Sequence, residues 1–471
     1  MTSSETDIAQ STGLSRRSLL RAGGVGALVV GGVAAGLGTG IAPAAQAASG
    51  TTSLPFFGPN QAGVTTPAQQ HLTLAVIDLQ VGNAFELRTL LKQWTLAANQ
   101  MSKGQPVGAL STPDSQAPAD SGEVVDENAA RLTLTFGLGP SMFDSRFGFT
   151  SKRPLPLSDL PVFSKDQLDP QRTGGDVFIQ ACADSAQVAD HAVRNLIRIA
   201  GIRANVRWIQ RGFLDVGGAP GSTGGTPRNL LGFKDGTSNL NTNDSARMAN
   251  NVWASMSESP AWMAGGSYAV IRRVRTLVEP WDNASLKEQE DVHGRRKYSG
   301  APFGGTAERD RVETALLPIH SHVRVANPRN GAASENERIL RRGFNYSDGL
   351  APITGPIPND EGQPVTGLLD MGLMFIAFQR DPRAQFVPIQ TRLDANDALN
   401  EYLVHTGSGV FAILPGVLDT SDYLGSTLLD GPRPTVAPTP TTTPAVARRP
   451  VPKKKPAPRP RRRLPRRRRT S

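Results

Sequence analysis

The chain has 471 residues, more than one hydrophobic core usually organises, and its apolar fraction of 38% is that of a globular protein. The formal charge of +10 is unevenly placed: thirteen Lys and Arg and no acid follow Val446, residues 1–47 add a net +1, and the remainder carries −4. The body is therefore mildly acidic with a basic tail, and a single cysteine, Cys182, excludes internal disulfides and cysteine-ligated zinc or iron–sulfur sites.

Residues 1–47 read as an export signal. Arg16-Arg17 precede a weakly apolar, glycine-rich run to Ile41, and Ala45-Gln46-Ala47 is a small-residue cleavage site. This resembles a twin-arginine signal, with cleavage expected after Ala47. A transmembrane anchor is the alternative, against which Pro43 and the glycine content argue. The expected destination is extracellular, cell-wall or periplasmic.

After a loop over 48–70, His71–Val76 alternates as a strand, and Asn83 with Glu86 forms a capping box for a helix bearing Leu87, Leu90, Leu91 and Trp94. Residues 101–130 read as an exposed polar loop. Leu132–Phe136 is a second strand, 140–174 irregular, Asp176–Ala183 a third strand, Ser185 a helix start, and Asn205–Phe213 a fourth strand. The order β-α-β, β-α-β is the ferredoxin-like pattern.

In the second half, strands are expected at Tyr268–Val278, His320–Ala326, Met371–Gln379 and Val410–Leu414. Helices are expected over Ser285–Val292 and from Asp394 through Leu403. The fold class read from this is α+β, two ferredoxin-like domains over 48–225 and 226–431. The tail, 432–471, is Pro/Arg/Lys-rich and without apolar residues to bury, so it is expected to be disordered. For an exported chain it suits anionic cell-wall polymer or a membrane surface, not a specific nucleic acid.

Two stretches carry the chemistry. Gly232-Phe233-Lys234-Asp235-Gly236-Thr237-Ser238-Asn239 is a turn holding one carboxylate among hydroxyl and amide donors. Taken alone it is a turn against a ligand or a turn with none. His320 and His322, two of only six histidines, sit two apart. They read as a metal-site fragment, as one haem ligand with a bystander, or as structural residues.

Gly232–Thr237, His322-Val323-Arg324-Val325-Ala326-Asn327-Pro328-Arg329 and Leu340-Arg341-Arg342-Gly343 resemble, in order and spacing, the signature blocks of the dye-decolorizing peroxidases. The similarity is closest to the exported deferrochelatase/peroxidase branch. Supporting blocks run through most of 55–415, among them Glu288-Gln289-Glu290 with Gly294-Arg295, and Leu369–Leu373. The resemblance implies the fold already read from the elements, and haem b, one per chain, bound mainly by the C-terminal domain.

It implies His322 as axial iron ligand and His320 as bystander. Gly236, Thr237, Ser238, Asn327, Pro328, Arg329 and Arg341 match haem-contacting positions. Asp235 matches the distal proton carrier and Arg341 the distal arginine. Asp381 is the candidate carboxylate behind His322, with Asp370 as the other choice. A carboxylate shuttle with a pKa near ~4 stays competent in acid, so an acidic optimum is expected.

The implied activity is a secreted haem peroxidase oxidising dyes, phenols or another donor with hydrogen peroxide. Deferrochelatase-like release of iron from haem, with iron-uptake partner proteins, is the runner-up. A non-catalytic haem-binding or delivery protein is the third reading. Tyr346, Trp208, Trp253, Trp262 and Trp281 are the large aromatics considered for surface oxidation, none assigned. The oligomeric state stays open, a homo-oligomer included.

Overall fold

In a computed structural model of the chain, the described residues are 52–110, 113–215, 225–351 and 368–433, with 357–358 and 364–365. The export segment and the tail beyond 433 lie outside them. The first half runs β1 (His71–Leu79), α1 (Ala84–Met101), β2 (Thr133–Leu138), β3 (Val177–Ala183), α2 (Ala186–Ala200) and β4 (Ala204–Phe213). The helix starts are locally encoded. The Asn83 side chain accepts from the Glu86 N–H while Glu86 reaches back to the Gly82 N–H, and Ser185 accepts from the Val188 N–H.

The second half contains β5 (Ser267–Thr276), α3 (Leu286–His293), α4 (His322–Ala326), β6 (Phe344–Leu350), β7 (Leu369–Gln379), α5 (Phe386–Asn396) and β8 (Leu403–Ile413). Both halves show the same antiparallel strand order. It is β4-β1-β3-β2 in the first and β8-β5-β7-β6 in the second, so each is ferredoxin-like.

The two sheets join edge to edge at two short seams. Phe213 pairs with Asn345, and Ala412 and Ile413 pair with Leu138 and Gly137, which closes the eight strands into a ring. Period-two patterning then sorts side chains. Leu72, Leu74, Val76, Phe178, Ala269, Ile271, Phe411 and Ile413 fill the interior of the ring. Their neighbours Ala75, Ile77, Ile179, Ala181, Val270 and Ala412 face outward into a separate core with α1 and α2. Strands buried on both faces read as continuous apolar runs, as Val177–Ala183 does. Cys182 lies in the ring interior, fully buried, which suits a filler.

Three sequence expectations change. His320–Ala326 is not a strand: Ser321 begins a single helical turn, His322–Ala326, closed before Pro328 and packed on α5. The helix expected from Asp394 through Leu403 is instead α5, which begins at Phe386 and ends at Asn396. A 3-10 turn, Ala398–Glu401, follows, and β8 starts as early as Leu403. Strand β6 had no expected counterpart. Its polar second half, Ser347-Asp348-Gly349-Leu350, is exposed and carries no apolar alternation.

Phe178 and Phe411 stack at 5.2 Å inside the ring with no exposure. Phe411→Ala is expected to lower unfolding free energy by about 3–5 kcal/mol, read as an earlier denaturant midpoint at unchanged slope.

Candidate active site

The outward face of the second sheet is covered by α4, α5 and the long β5–β6 crossover instead of by two full helices. A cavity of about 280 Å³ lies there, where one water needs roughly 10–15 Å³. Val274 of β5, Leu373 and Phe375 of β7, and Phe386, Ile389 and Leu393 of α5 line it. These apolar side chains form one wall, and charged and polar residues such as Asp235, Arg295, His322 and Arg341 line the rest, which suits a sizeable organic ligand with polar edges.

Asp235 and Arg341 reach this cavity from different elements. The Gly232–Asn239 turn is pinned to the two-residue strand Leu340–Arg341 by Asn239, whose amide donates to the Arg341 carbonyl (2.7 Å). The Asn239 Oδ1 also accepts from the Arg341 N–H (3.0 Å). Leu340 fills the ring interior, so the alternation turns Arg341 outward into the cavity. Its Nη1 then lies 2.6 Å from Asp235 Oδ1. Burial pushes the Asp235 carboxyl up, but the Arg341 charge and hydrogen bond, with His293 and His322 nearby, hold it below the ordinary value.

A second carboxylate holds the turn from behind. Glu308 accepts from Lys234 Nζ (2.5 Å), Thr237 Oγ1 (2.9 Å) and the Thr226 hydroxyl. These bonds overcome its burial and bring it down to about 2. Lys234 is thereby paired away from Asp235. Gly236 sits at φ 124, where a side chain would be strained.

His322 opens α4 and lines the cavity. Its Nδ1 is 2.6 Å from Asp397 Oδ2; burial pulls the imidazole down, yet the Asp397 charge and bond hold it above the ordinary histidine value. Asp397 is buried, caps the Ala398–Glu401 turn through the Leu399 N–H, and is the partner that sequence reasoning missed. Asp381 is not that partner: Arg383 holds it at 2.7 Å. Asp370 is not either, since it accepts from Arg273 at 2.9 Å. The expected long helix had placed Asp397 mid-helix; the Asp394-Ala395-Asn396-Asp397 run is instead helix exit and turn cap. His320 is exposed and bonded through Nδ1 to the Asn396 carbonyl.

Gly236, Thr237, Ser238, Asn327, Arg329 and Arg341 all line the cavity, while Pro328 does not. Arg295, Arg329 and Arg338 line it as well. Burial, then the charges of Arg295 and Arg338, lower the Arg329 pKa, and the Arg329 and Arg295 guanidiniums donate to backbone carbonyls. Glu337, the acid on this edge, is held by Arg392 at 2.7 Å, which leaves Arg295 and Arg329 to a ligand carrying carboxylates. Arg329 also has φ 61, a left-handed backbone uncommon outside glycine. Among the described residues no cluster of three or more His, Cys, Asp or Glu is placed to hold a metal ion by itself. A cavity-lining histidine tethered through one ring nitrogen, an apolar wall and a cationic edge together fit haem.

Residues 61–214 match the family Dyp-type peroxidase, N-terminal, and residues 226–418 match Dyp-type peroxidase, C-terminal. The deferrochelatase of Escherichia coli O6:K15:H31 is 37% identical over 431 residues, covering 88% of this chain and 97% of that protein. DtpA from Streptomyces lividans, solved as an oxyferrous complex, superposes with a TM-score of 0.70 at 37% identity, over 80% of this chain and 97% of that one. A DyP-type peroxidase from Streptomyces coelicolor gives 0.71 at 37% identity, over 81% and 98%. With both halves matched, a cavity of this composition and relatives of this extent, the chain belongs to the Dyp-type peroxidase family and is a haem peroxidase.

Proposed function

We propose that the chain is an exported peroxidase oxidising dyes, phenols or similar donors with hydrogen peroxide, with Asp235 as proton shuttle and His322 as axial ligand. The observation that carries this reading is the 2.6 Å Asp235–Arg341 pair in the same cavity as the Asp397-tethered His322. His322 would hold the iron. Asp397, replacing Asp381 in that role, would fix the ring and strengthen its donation. Arg329, Asn327 and the Gly236–Ser238 lip would contact the haem edge. The division of the chain between 225 and 226 is supported by the gap between the two family matches.

Bound haem supplies the iron at which peroxide is cleaved. Asp235, anionic beside Arg341, takes the proton from one peroxide oxygen and returns it to the other as water leaves. Arg341 keeps the carboxylate ionised and meets the charge developing along the O–O bond. Simple haem storage has no use for such a pair. The curated relatives are named deferrochelatases, which keeps release of iron from intact porphyrin as the second reading. Porphyrin fluorescence appearing during incubation with haem would favour it.

Asp235→Asn is expected to lower kcat/KM for peroxide by about 10²–10⁴-fold while the Soret band of bound haem persists. Unchanged dye oxidation would remove Asp235 as the proton carrier.

Asp235 has a depressed pKa, so its base form is present above the ordinary carboxylate range and is lost only as pH falls below it. The acid limb of kcat/KM is therefore expected below pH ~3.9. In Arg341→Leu burial dominates, and the limb should move to higher pH.

Asp397→Asn should weaken axial donation, seen as a lower iron–histidine stretching frequency and about 10–100-fold weaker haem binding. An unaltered stretch would exclude Asp397 as the tether.

For export, replacing Arg16-Arg17 by two lysines should leave the precursor in the cytoplasm. Normal appearance outside the cell would exclude the twin-arginine reading.

A further inference from the structure

Asp235 sits on the second arm of a short hairpin. Its N–H donates to the Pro227 carbonyl (2.8 Å), Arg228 and Lys234 pair across the arms, and the Asn229 N–H donates to the Phe233 carbonyl (2.9 Å) near the turn. Both arms are held by one carboxylate. Glu308 accepts from the Thr226 hydroxyl on the first arm, and from Lys234 Nζ (2.5 Å) and Thr237 Oγ1 (2.9 Å) on either side of Asp235. Glu308 is itself placed by Arg295, whose Nη1 donates to the Glu308 carbonyl (2.9 Å) and the Gly300 carbonyl (2.7 Å). The Lys234 stem lies against the same loop, since a Cβ on Gly300 would come within 2.7 Å of Lys234 Cδ.

The cation held by Glu308 precedes the acid in sequence and lines the same cavity. Among the described residues the Asp235 carboxylate has one bonded partner, the Arg341 Nη1 on Oδ1 (2.6 Å), which leaves Oδ2 to exchange a proton. The other charged and titratable groups around it are His293 at the end of α3, His322 on α4, and Lys234 with Glu308 behind the turn; Arg295 lies beside Glu308. An ammonium is a compact charge on a flexible stem. Without Glu308 it would be free to meet the open side of the carboxylate one residue away. A second cation there stabilises the anion and weakens it as a base.

We propose that Glu308 is a positioning residue for the peroxide step: by holding Lys234 and closing both arms of the hairpin, it leaves Asp235 paired with Arg341 alone. The proposal rests on Asp235 as the proton carrier. The four charges then form two separate pairs, Lys234 with Glu308 and Asp235 with Arg341. Breaking the first pair from its two sides shifts Asp235 in opposite senses. Glu308→Gln keeps an acceptor for Thr226 and Thr237 but frees a cation, which makes Asp235 a weaker base. Lys234→Met leaves Glu308 an uncompensated anion, which makes Asp235 harder to ionise. A hairpin that was merely loosened would give no such opposed pair of shifts.

The test follows the reaction of haem-loaded full-length protein with hydrogen peroxide by stopped flow against pH. A carbon-13 carboxylate NMR titration of the haem-free chain runs beside it, with the Asp235 resonance identified by its loss in Asp235→Asn. Glu308→Gln is expected to slow the peroxide step about tenfold at neutral pH, the equivalent of one unit in the basicity of Asp235. Lys234→Met should move the acid limb and the Asp235 titration together to higher pH. Combining Glu308→Gln with Lys234→Met should restore the peroxide step to near the wild-type rate. A combined variant as slow as Glu308→Gln, or a Lys234→Met titration that stays or falls, overturns the proposal. Should Glu308→Gln fail to bind haem, the direction of the Lys234→Met shift still decides. A wild type whose Soret band ignores peroxide sinks the peroxidase reading instead, and the NMR titrations then judge Glu308 by themselves.

Discussion

Burial of the central strands β1, β3 and β5 on both faces is the constraint from which the rest of the structure follows. One face of each sheet is consumed by the closed ring, whose interior is filled by residues such as Leu74, Phe178, Ile271 and Phe411. The other face must be covered from outside. In the first half α1 and α2 cover the central strands and leave β4 partly exposed, and that half carries core and no large cavity among its described residues. In the second half the cover is thin: one turn at α4, an eleven-residue α5 and an irregular crossover. The same topology used twice thus yields a scaffold on one side and a binding slot on the other.

The slot is assembled from segments far apart in sequence, each held by a short polar tie. Asn239 fastens the Asp235 turn to the strand of Arg341, Glu308 fastens it from behind, and Asp397 fastens His322. All three ties use buried or half-buried donors and acceptors that satisfy one another, so the cost of burying them is offset locally. The chemistry is therefore positioned by side-chain amides and carboxylates on loops, against a wall supplied by the sheet.

What the sequence revealed follows from which forces are local. The caps at Asn83 and Ser185 and the doubly buried strands were legible because each depends on a few consecutive residues. Asp235, His322 and Arg341 stood out through block motifs, and the fold brings them to one cavity. His320–Ala326 was expected as a strand, and Val323 and Val325 are β-branched, yet packing on α5 makes it a helical turn; tertiary contact outweighed propensity. Asp397 was hidden because its role is set by a partner 75 positions away.

Arg329 shows a further consequence. A non-glycine residue held at φ 61 stores on the order of 1–3 kcal/mol, and the neighbouring Arg295 and Arg338 add repulsion that carbonyl bonds relieve only in part. The protein without cofactor therefore carries both strain and like charge at the rim of the slot, and an anionic ligand edge would relieve the like charge. By mass action, whatever binds there stabilises the folded chain in proportion to its occupancy. Haem would then act as a folding ligand for the second half as well as its reagent, and a chain folded before it is loaded would be the less durable form.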